Sequence, residues 1–391
     1  MAVIVPSKSS EHSFSISNII SRFRSKRSTG LKVPGKPVQK EPVRDARPAL
    51  VPSPLPLVLP EHQQSLPTLG WTTVTFPQPQ DPTVHSSPGA TSEDSAPAPG
   101  PHPLQLAYEA LFAASQAFFN LPDSEKNQWK HKLGSEEGWS KITGEKEFVT
   151  LRSLEYCPNI LRGPAKRYWD LMGSCLDSSL GRISTSLDLT NAEDQGLRQL
   201  VGPCKTMQAH DSDKTATMLR LFRYEGWDPK VVAEPHCDLG LLSIVVGNVP
   251  GLEVWDGHGW FDVERQVEKA GMKGASLLVG RQLERLSNGR YGAGGHRVVS
   301  YGLPKIDQGQ QEDGEKRYRF SIVFVLRAHE PVVIDSDALE TNITGKWDEP
   351  LKDVTAGEMY EKIRRAHYNI NIDMQEREKQ RRGIQEAKGK T

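Results

Sequence analysis

The sequence predicts an α+β protein with a mainly β core, because the pattern of its residues changes twice along the 391 positions. Apolar residues recur at helical spacing before residue 210, short β-rich runs separated by turns follow residue 215, and helical patterns return after Pro331. Short strands with tight turns between them are typical of a β-sandwich or barrel. A chain of this size, with 36% hydrophobic residues, is long enough for one large globular domain or two small ones.

The N-terminal residues 1–62 predict a disordered arm that is basic and rich in proline. The first 40 residues contain eight Lys or Arg and one acidic residue, Glu11, and an organellar transit peptide is the alternative interpretation of this start. Proline is dense from Gly35 to about Pro103, which is incompatible with a regular hydrogen-bonded ladder. Within that stretch, the alternating β-formers of residues 69–76 predict an isolated strand that docks on the folded body.

Amphipathic helices are predicted on both sides of the β-rich region. The first covers residues 104–120, the second starts after Pro164, and a third covers residues 355–367. A charged helix is predicted at residues 374–390, and its charges lie on every face, which is typical of a solvated helix.

The β-rich region predicts six strands, bounded by turn residues. Gly257-His258-Gly259 and Asn288-Gly289 predict tight turns, and the polar stretch 306–315 predicts an exposed, mobile loop. The predicted strands are residues 217–224, 241–246, 252–255, 276–279, 297–301 and 318–326.

The triplet His236-Cys237-Asp238 is the first candidate for chemistry. In a strand, residues two apart project to the same side, so the His236 imidazole and the Asp238 carboxylate converge on one point. If His296 on a neighbouring strand supplies a third ligand, two His and one carboxylate occupy one face of an octahedron and leave three positions open, as non-haem Fe(II) oxygenases require. Taken alone, the triplet is better explained by chance.

The predicted strand 318–326 has two different faces. Arg319 and Ser321 lie on the face opposite the aromatic residues Tyr318, Phe320 and Phe324. If their face lines a barrel interior, the guanidinium binds a carboxylate through two hydrogen bonds and the hydroxyl adds a third. The alternative is an ordinary strand whose Arg side faces water.

Short motifs that agree in order and spacing point to one enzyme family. They are Phe118-Phe119-Asn120-Leu121-Pro122, Gly144-Glu145-Lys146-Glu147, Leu219-Arg220-Leu221-Phe222-Arg223-Tyr224, His236-Cys237-Asp238, Val249-Pro250-Gly251-Leu252-Glu253-Val254, Leu286-Ser287-Asn288-Gly289-Arg290-Tyr291, His296-Arg297-Val298-Val299 and Arg319-Phe320-Ser321. Over residues 104–328 the chain therefore resembles the isopenicillin N synthase-like branch of the Fe(II)/2-oxoglutarate-dependent dioxygenases.

The resemblance implies a double-stranded β-helix, or jelly roll, flanked by helices. It implies an Fe(II) ion bound by His236, Asp238 and His296, with no catalytic residue beyond this metal centre. The domain boundaries predicted on this basis are a disordered arm at 1–62, a mainly helical region at 63–210, the jelly roll at 211–335 and a charged helical tail at 336–391.

The same resemblance implies the cosubstrate and the reaction. The distal carboxylate of 2-oxoglutarate would contact Arg319, Ser321 and the hydroxyl of Tyr224. The enzyme would use O₂ to hydroxylate, desaturate or cyclise a small organic molecule, such as a specialised metabolite of secondary metabolism, and would release succinate and CO₂. Two alternatives remain: an iron oxidase of the same fold that does not use 2-oxoglutarate, and a non-catalytic jelly-roll binding protein.

Three departures from the family pattern affect the cosubstrate region. Phe222 stands where many plant relatives have Asn, and Arg281 follows Gly280 where they usually have Asp. The loop 305–316 is longer than usual. None of these departures removes a predicted metal ligand, so they bear on cosubstrate geometry and on the substrate pocket.

The amino-acid composition argues against some classes of partner and favours one cellular compartment. Lys and Arg number 49 and Asp and Glu number 49, so the chain lacks the positive field of a nucleic-acid-binding protein. No run approaches the roughly 20 apolar residues of a membrane-spanning helix. The four Cys are far apart and form no zinc-knuckle, redox-pair or disulfide pattern. We expect a cytoplasmic monomer that acts on a small molecule.

Overall fold

The computed structural model describes residues 45–76, 102–131, 136–225, 229–302 and 318–388. The predictions for the basic start, for most of the Pro-rich stretch and for the polar loop 306–315 lie outside these residues. The chain divides into two units, Met1–Ala46 and Arg47–Thr391, and the fold is that of the second. Among the described residues, no helix is long and apolar enough to cross a membrane.

Thirteen strands occur in the described part of the chain. In chain order they are β1 (Trp71–Phe76), β2 (Gly138–Ile142), β3 (Lys146–Leu151), β4 (Met218–Tyr224), β5 (Pro229–His236), β6 (Leu242–Gly247), β7 (Leu252–Trp255), β8 (Trp260–Asp262), β9 (Lys273–Val279), β10 (His296–Tyr301), β11 (Arg319–Leu326), β12 (Val333–Ile334) and β13 (Val354–Thr355). The predicted α+β class with a mainly β core is confirmed.

Two antiparallel sheets build the core. The major sheet has the order β1-β9-β6-β11-β4-β3-β2, the minor sheet has the order β5-β10-β7-β8, and β12 pairs with β13 apart from both. All six strands predicted in the β-rich region are present, with small shifts of their ends. The strand predicted within the Pro-rich stretch is β1, which pairs with β9 at the edge of the major sheet.

Helices cover the outer face of the major sheet. The ring of Phe324 on β11 lies 5.2 Å from that of Trp169, and the ring of Phe320 lies 6.3 Å from that of Phe119. This packing covers the aromatic face of β11 and leaves Ser321 and its same-face neighbours toward the cavity between the sheets. The α-helices are α1 (Ser65–Leu69), α2 (Pro103–Phe119), α3 (Asp123–Lys126), α4 (Asn159–Ser186), α5 (Val263–Lys269), α6 (Arg281–Leu286), α7 (Ala356–Arg365) and α8 (Met374–Lys388).

The second predicted helix is longer than the sequence indicates. It was expected to start after Pro164, but α4 begins at Asn159 and contains Pro164 in its second turn. A proline there removes one backbone hydrogen bond, a cost of about 3 kcal/mol or more in a helix interior. Burial of Leu161, Trp169 and the apolar residues that follow offsets this loss, since packing of a buried face outweighs local propensity.

Two regions before residue 210 differ from their predicted character. Strands β2 and β3, in the region predicted as mainly helical, extend the major sheet beside β4. Residues 47–62, inside the arm predicted as disordered, are packed on the body: Leu55 and Val58 are buried, and Val58 bridges to Val74 of β1. The sheet edge supplies an apolar partner surface that local sequence does not reveal.

The Asn288-Gly289 turn also has a different context. Both residues have positive φ, 49° and 73°, as the sequence indicated. They follow α6, however, and end a helix instead of connecting two strands of a hairpin. Left-handed residues are common immediately after helices, so the same dipeptide serves either purpose. The turn predicted at Gly257 does connect two paired strands, β7 and β8.

Candidate metal centre and cosubstrate site

Two histidines meet across the minor sheet. His296 at the start of β10 is the register partner of His236 at the end of β5, and their ring centroids lie 4.1 Å apart. Antiparallel pairing places directly opposite side chains on the same face of the sheet. The prediction that these two residues lie on neighbouring strands is confirmed.

Asp238 joins the two histidines from outside the sheet. Strand β5 ends at His236, so Asp238 lies in the following turn, and the expectation that both residues share one strand is wrong. The turn is fixed because the backbone N–H of Arg281, at the start of α6, donates to the Asp238 carbonyl oxygen at 2.8 Å. The Asp238 carboxylate reaches within 4.0 Å of His236 Nε2 and 3.9 Å of His296 Nε2.

Backbone carbonyls orient both imidazoles. His236 Nδ1 lies 2.7 Å from the carbonyl oxygen of Glu234, and His296 Nδ1 lies 3.1 Å from that of Gly294. Donation of Nδ1–H to these oxygens leaves each Nε2 with a free lone pair that points toward the common centre. Burial, with the neighbouring His296, lowers the pKa of His236 to about 3, which keeps the imidazole neutral near pH 7.

The carboxylate completes a donor set that fits a divalent metal. Although burial acts to raise the pKa of Asp238, the neighbouring histidines and Arg220 outweigh it and lower this pKa, so the group is ionised. Its Oδ2 is buried and has no hydrogen-bond partner among the described residues. One ligand atom from each of the three residues lies within 4.8 Å of the other two. Two imidazoles and one ionised carboxylate suit Fe(II).

The predicted anion clamp lies on the major sheet. Arg319 on β11 is the register partner of Tyr224 on β4, and Ser321 lies two residues further along the same face. The Oγ of Ser321 is buried and has no hydrogen-bond partner in the described part of the chain. Burial raises the pKa of Tyr224 to about 12, so its hydroxyl keeps its proton and is available as a donor. The structure therefore brings these three side chains together.

Glu264, which the sequence did not indicate, binds one edge of Arg319. Its carboxylate oxygens lie 3.0 Å from Arg319 Nη1 and 3.1 Å from Nη2, and Nη1 also donates to the Val249 carbonyl oxygen. Glu264 lies in the first turn of α5, a helix that was not predicted. It is fixed further because it accepts a hydrogen bond from the backbone N–H of Leu252 at 2.8 Å.

Two N–H groups of Arg319 remain without an acceptor among the described residues. A guanidinium carries five N–H groups, of which Glu264 accepts two and Val249 one. The remaining two are the Nε–H and one Nη2–H, which lie on the same edge of the planar group. Nε is buried and has no partner among the described residues. This edge fits one further carboxylate, together with the unpartnered Ser321 hydroxyl.

A cavity of about 1980 Å³ is lined by residues of both sheets. His236, Asp238 and His296 line it from the minor-sheet side, and Tyr224 and Ser321 line it from the major sheet. Arg319 lies beside Tyr224 across the strands, so a ligand held at Ser321 and Tyr224 shares this cavity with the candidate metal centre.

Phe222 and Arg281, the two residues that depart from the family pattern, both line the cavity. Phe222 faces the cavity from β4 and stacks on Tyr224, with ring centroids 5.2 Å apart. It supplies an apolar wall where an Asn would supply an amide. Arg281 lies at the cavity rim, where its Nη1 is 2.6 Å from Glu284 Oε2.

The charged C-terminal segment lines the cavity instead of lying fully in solvent. Arg377 of α8 is 3% exposed and lies 2.5 Å from Glu145 Oε1 and 3.1 Å from Glu234 Oε1. Arg381, one turn later, also pairs with Glu234. The expectation of a helix solvated on every face is therefore wrong, because Glu145, in the turn between β2 and β3, and Glu234 of β5 neutralise one face.

Lys146 gives a prediction for the pH dependence of stability. Burial lowers the pKa of Lys146 to about 7, and its Nζ donates to the Ile370 carbonyl oxygen at 3.2 Å. Between pH 7 and the ordinary pKa of a lysine, Lys146 binds more protons in the unfolded chain than in the folded chain. The contribution of Lys146 to the free energy of unfolding therefore rises with pH in this window. Lys146→Met should raise the free energy of unfolding by about 1–3 kcal/mol below pH 7 and by less at about pH 10.

Urea unfolding at both pH values measures the difference. Lys141→Met is the matched control, because Lys141 lies on the same hairpin, is 36% exposed and pairs with Asp123. It should show no gain at either pH. An equal effect of Lys146→Met at both pH values would contradict the lowered pKa.

Comparison with known proteins finds relatives among the 2-oxoglutarate-dependent dioxygenases. No family model matches the chain. Over 63% of this chain and 81% of the relative, it is 26% identical to the 2-oxoglutarate-dependent dioxygenase ecdK of Aspergillus rugulosus. It is 36% identical to probable flavonol synthase 6 of Arabidopsis thaliana over 88 residues, which are 22% of this chain and 28% of that protein.

Solved structures of the same fold agree. A 2OG-Fe(II) oxygenase family protein of Caulobacter crescentus superposes with a TM-score of 0.53 at 18% identity, over 78% of this chain and 93% of that one. A full-length Neurospora crassa protein, solved in complex with alpha-KG and 5-formyluracil, gives 0.51 at 18% identity over 76% and 86%. The chain is similar in sequence to 2-oxoglutarate-dependent dioxygenases and shares the fold of 2OG-Fe(II) oxygenases. The jelly-roll fold expected of this family is confirmed.

Proposed function

We propose that this member of the Fe(II)/2-oxoglutarate-dependent dioxygenases, of the isopenicillin N synthase-like branch, oxidises a small organic molecule and releases succinate and CO₂. The observation that carries the proposal is the convergence of His236, Asp238 and His296 on one face, with a buried carboxylate oxygen that lacks a partner among the described residues. The hydroxyl of Ser321 lines the same cavity, and it lies two residues from Arg319, whose Nε has no partner among the described residues. Together these two groups suit the distal carboxylate of 2-oxoglutarate.

The residues of this chain bind and orient the reactants. When bound, Fe(II) and 2-oxoglutarate supply the O₂-dependent oxidising chemistry. His236, Asp238 and His296 would hold the metal, and a set of three protein ligands would leave coordination positions for the cosubstrate and O₂. Arg319 and Ser321 hold the far end of the cosubstrate, and the neutral Tyr224 hydroxyl donates to it. Burial of this region keeps water from the reacting groups.

The relatives suggest the substrate class. The ecdK protein of Aspergillus rugulosus is a 2-oxoglutarate-dependent dioxygenase, and the Neurospora crassa protein was solved with the small molecule 5-formyluracil. We propose a specialised metabolite as the substrate. A monomer in the cytoplasm that does not bind nucleic acid agrees with the balanced charge of the chain.

An anaerobic titration tests this function. Addition of 2-oxoglutarate to the Fe(II)-loaded protein should produce a visible metal-to-ligand charge-transfer band, and admission of O₂ should convert 2-oxoglutarate to succinate. A protein that binds Fe(II) but shows neither the band nor succinate would contradict the proposal.

A second candidate is an iron oxidase that does not use 2-oxoglutarate. Phe222 favours it, because this apolar ring stands in the cavity where many plant relatives have an Asn that helps to position the cosubstrate. In that case Arg319 and Ser321 would bind a substrate carboxylate or another small anion. Substrate-dependent O₂ consumption without succinate would distinguish this candidate from the first.

A further inference from the structure

Arg220 lines the cavity and has no acidic hydrogen-bond partner among the described residues. Arg220 of β4 donates from Nε to Thr150 Oγ1 at 2.7 Å, and its guanidinium lies 5.5 Å from the Phe148 ring and 6.0 Å from the Phe222 ring. In the described part of the chain, neither Nη1 nor Nη2 has a hydrogen-bond partner. Four N–H donors on a cation are therefore available to a ligand.

Two other arginines that line the cavity, Arg327 and Arg281, are already paired. Arg327 lies 2.5 Å from Glu136 Oε2 and 3.3 Å from Oε1, and Arg281 is bound by Glu284. Glu136 acts electrostatically on Arg220 but uses both of its oxygens on Arg327. Burial lowers the pKa of Arg220, yet a guanidinium remains protonated in proteins. A buried charge without a partner is unfavourable, and an anionic ligand relieves that cost.

Arg220 is too far from the clamp to share one small ligand with it. Arg220 and Tyr224 lie four positions apart on one face of β4, which corresponds to about 13 Å at roughly 3.3 Å per residue. Phe222 stands between them and stacks on Tyr224, with Phe148 5.5 Å away across the strands. This aromatic wall separates the Arg319 end of the cavity from the Arg220 end. Arg220 and Asp238 both line this cavity, so the Arg220 end shares one space with the candidate metal centre.

The strand neighbours of Arg220 on the cavity face are apolar, and the nearby charges of Glu136 and Arg327 are already paired with each other. Met218 lies two residues before it on the same face of β4, Val323 of β11 is its register partner, and Val325 lies opposite Met218. A ligand that fills this end therefore has an apolar body and one charged group. A single guanidinium balances one carboxylate, whereas a phosphate dianion would keep half of its charge unpaired.

We propose that Arg220 binds the carboxylate of the substrate, which is an apolar monocarboxylic acid. The inference rests on the proposed function, because it assigns the Arg319 end of the cavity to the cosubstrate and the Arg220 end to the substrate. The metal centre lies within reach of both ends, as oxidation of one ligand by use of the other requires.

Isothermal titration of the full-length protein tests the site. The probes are aromatic and alicyclic monocarboxylates, each paired with its primary amide, added with saturating 2-oxoglutarate so that the Arg319 clamp is filled. The same titrations in an Arg319→Ala background exclude binding at the clamp. We expect acids that bind about tenfold or more tightly than their amides, because a charge-assisted hydrogen bond is lost in the amide.

Three variants test whether Arg220 causes the preference for acids over their amides. Arg220→Gln should remove the preference for acids, and Arg220→Lys should keep part of it, because a lysine retains the charge without the two-pronged geometry. Arg281→Gln is the matched control: this rim arginine is already paired with Glu284, so the preference should persist.

Three results would overturn the proposal. They are the absence of any acid that binds better than its amide, survival of the preference in Arg220→Gln, and a loss of 2-oxoglutarate affinity in Arg220→Gln with unchanged acid affinity. Binding of Fe(II) and 2-oxoglutarate to the wild-type protein is measured separately. Its failure would contradict the proposed function, while the acid-to-amide ratio in the Arg319→Ala background still reports on Arg220.

Discussion

Replacement of His236 by alanine should abolish Fe(II) binding and leave the fold intact. The variant keeps only His296 and Asp238 as ligands, and the carboxylate loses one of the two imidazoles beside it. The His236 side chain is 21% exposed, so its removal leaves no large void in the core. Anaerobic metal analysis after gel filtration measures the Fe(II) content, and circular dichroism measures the fold.

His258→Ala is the control for this experiment. His258 is exposed in the turn between β7 and β8, and its backbone N–H donates to Asp256 Oδ1 at 2.8 Å. This variant should bind one Fe(II) per chain, as the wild type is expected to do. Wild-type stoichiometry in His236→Ala would contradict the assignment of the metal ligands.

Replacement of Arg319 by alanine should weaken 2-oxoglutarate binding by about a hundredfold, while Fe(II) binding persists. The variant removes the two free N–H groups on one edge of the guanidinium and leaves the Glu264 carboxylate beside the incoming anion. Loss of one partner of a buried, hydrogen-bonded charge pair costs about 2–5 kcal/mol. The intensity of the charge-transfer band as a function of 2-oxoglutarate concentration measures the affinity.

Arg198→Ala controls for the loss of a partly buried ion pair. Arg198 binds Asp177 through two nitrogens, at 3.1 and 2.7 Å, on α4 and the short helix Arg198–Leu200. This variant should lose stability in a similar way, because it also leaves a carboxylate unpaired. Its 2-oxoglutarate affinity should equal that of the wild type. Unchanged saturation in Arg319→Ala would count against the role of Arg319 as a clamp.

Alternation along single strands was readable from the sequence because its period is local. The aromatic face of 318–326 and the opposite face with Arg319 and Ser321 appear in β11 as predicted. Pairing of His236 with His296 followed from the β-rich pattern and the family motifs. The position of Asp238 could not be predicted in this way. Asp238 lies after the end of β5, in a turn held by the backbone N–H of Arg281, which is 43 residues later in the chain than Asp238.

The contacts between distant charges were not readable, since each depends on which strands become neighbours. Nothing near Glu264 in the sequence indicates that its carboxylate meets Arg319, and nothing near Arg377 indicates Glu145 and Glu234. These pairs form because charges that leave water must find opposite charges, and only the assembled fold determines which are within reach.

The sequence by itself determined the α+β class, the alternating faces of the strands and the resemblance to one enzyme family, because each follows from residue periodicity or from short ordered motifs. Only the tertiary structure decided the turn that brings Asp238 to the two histidines, the pairing of Glu264 with Arg319 and the lack of an acidic partner for Arg220 among the described residues. The physical reason is that partners in these contacts are set by the packing of two sheets around one cavity, and not by neighbours along the chain.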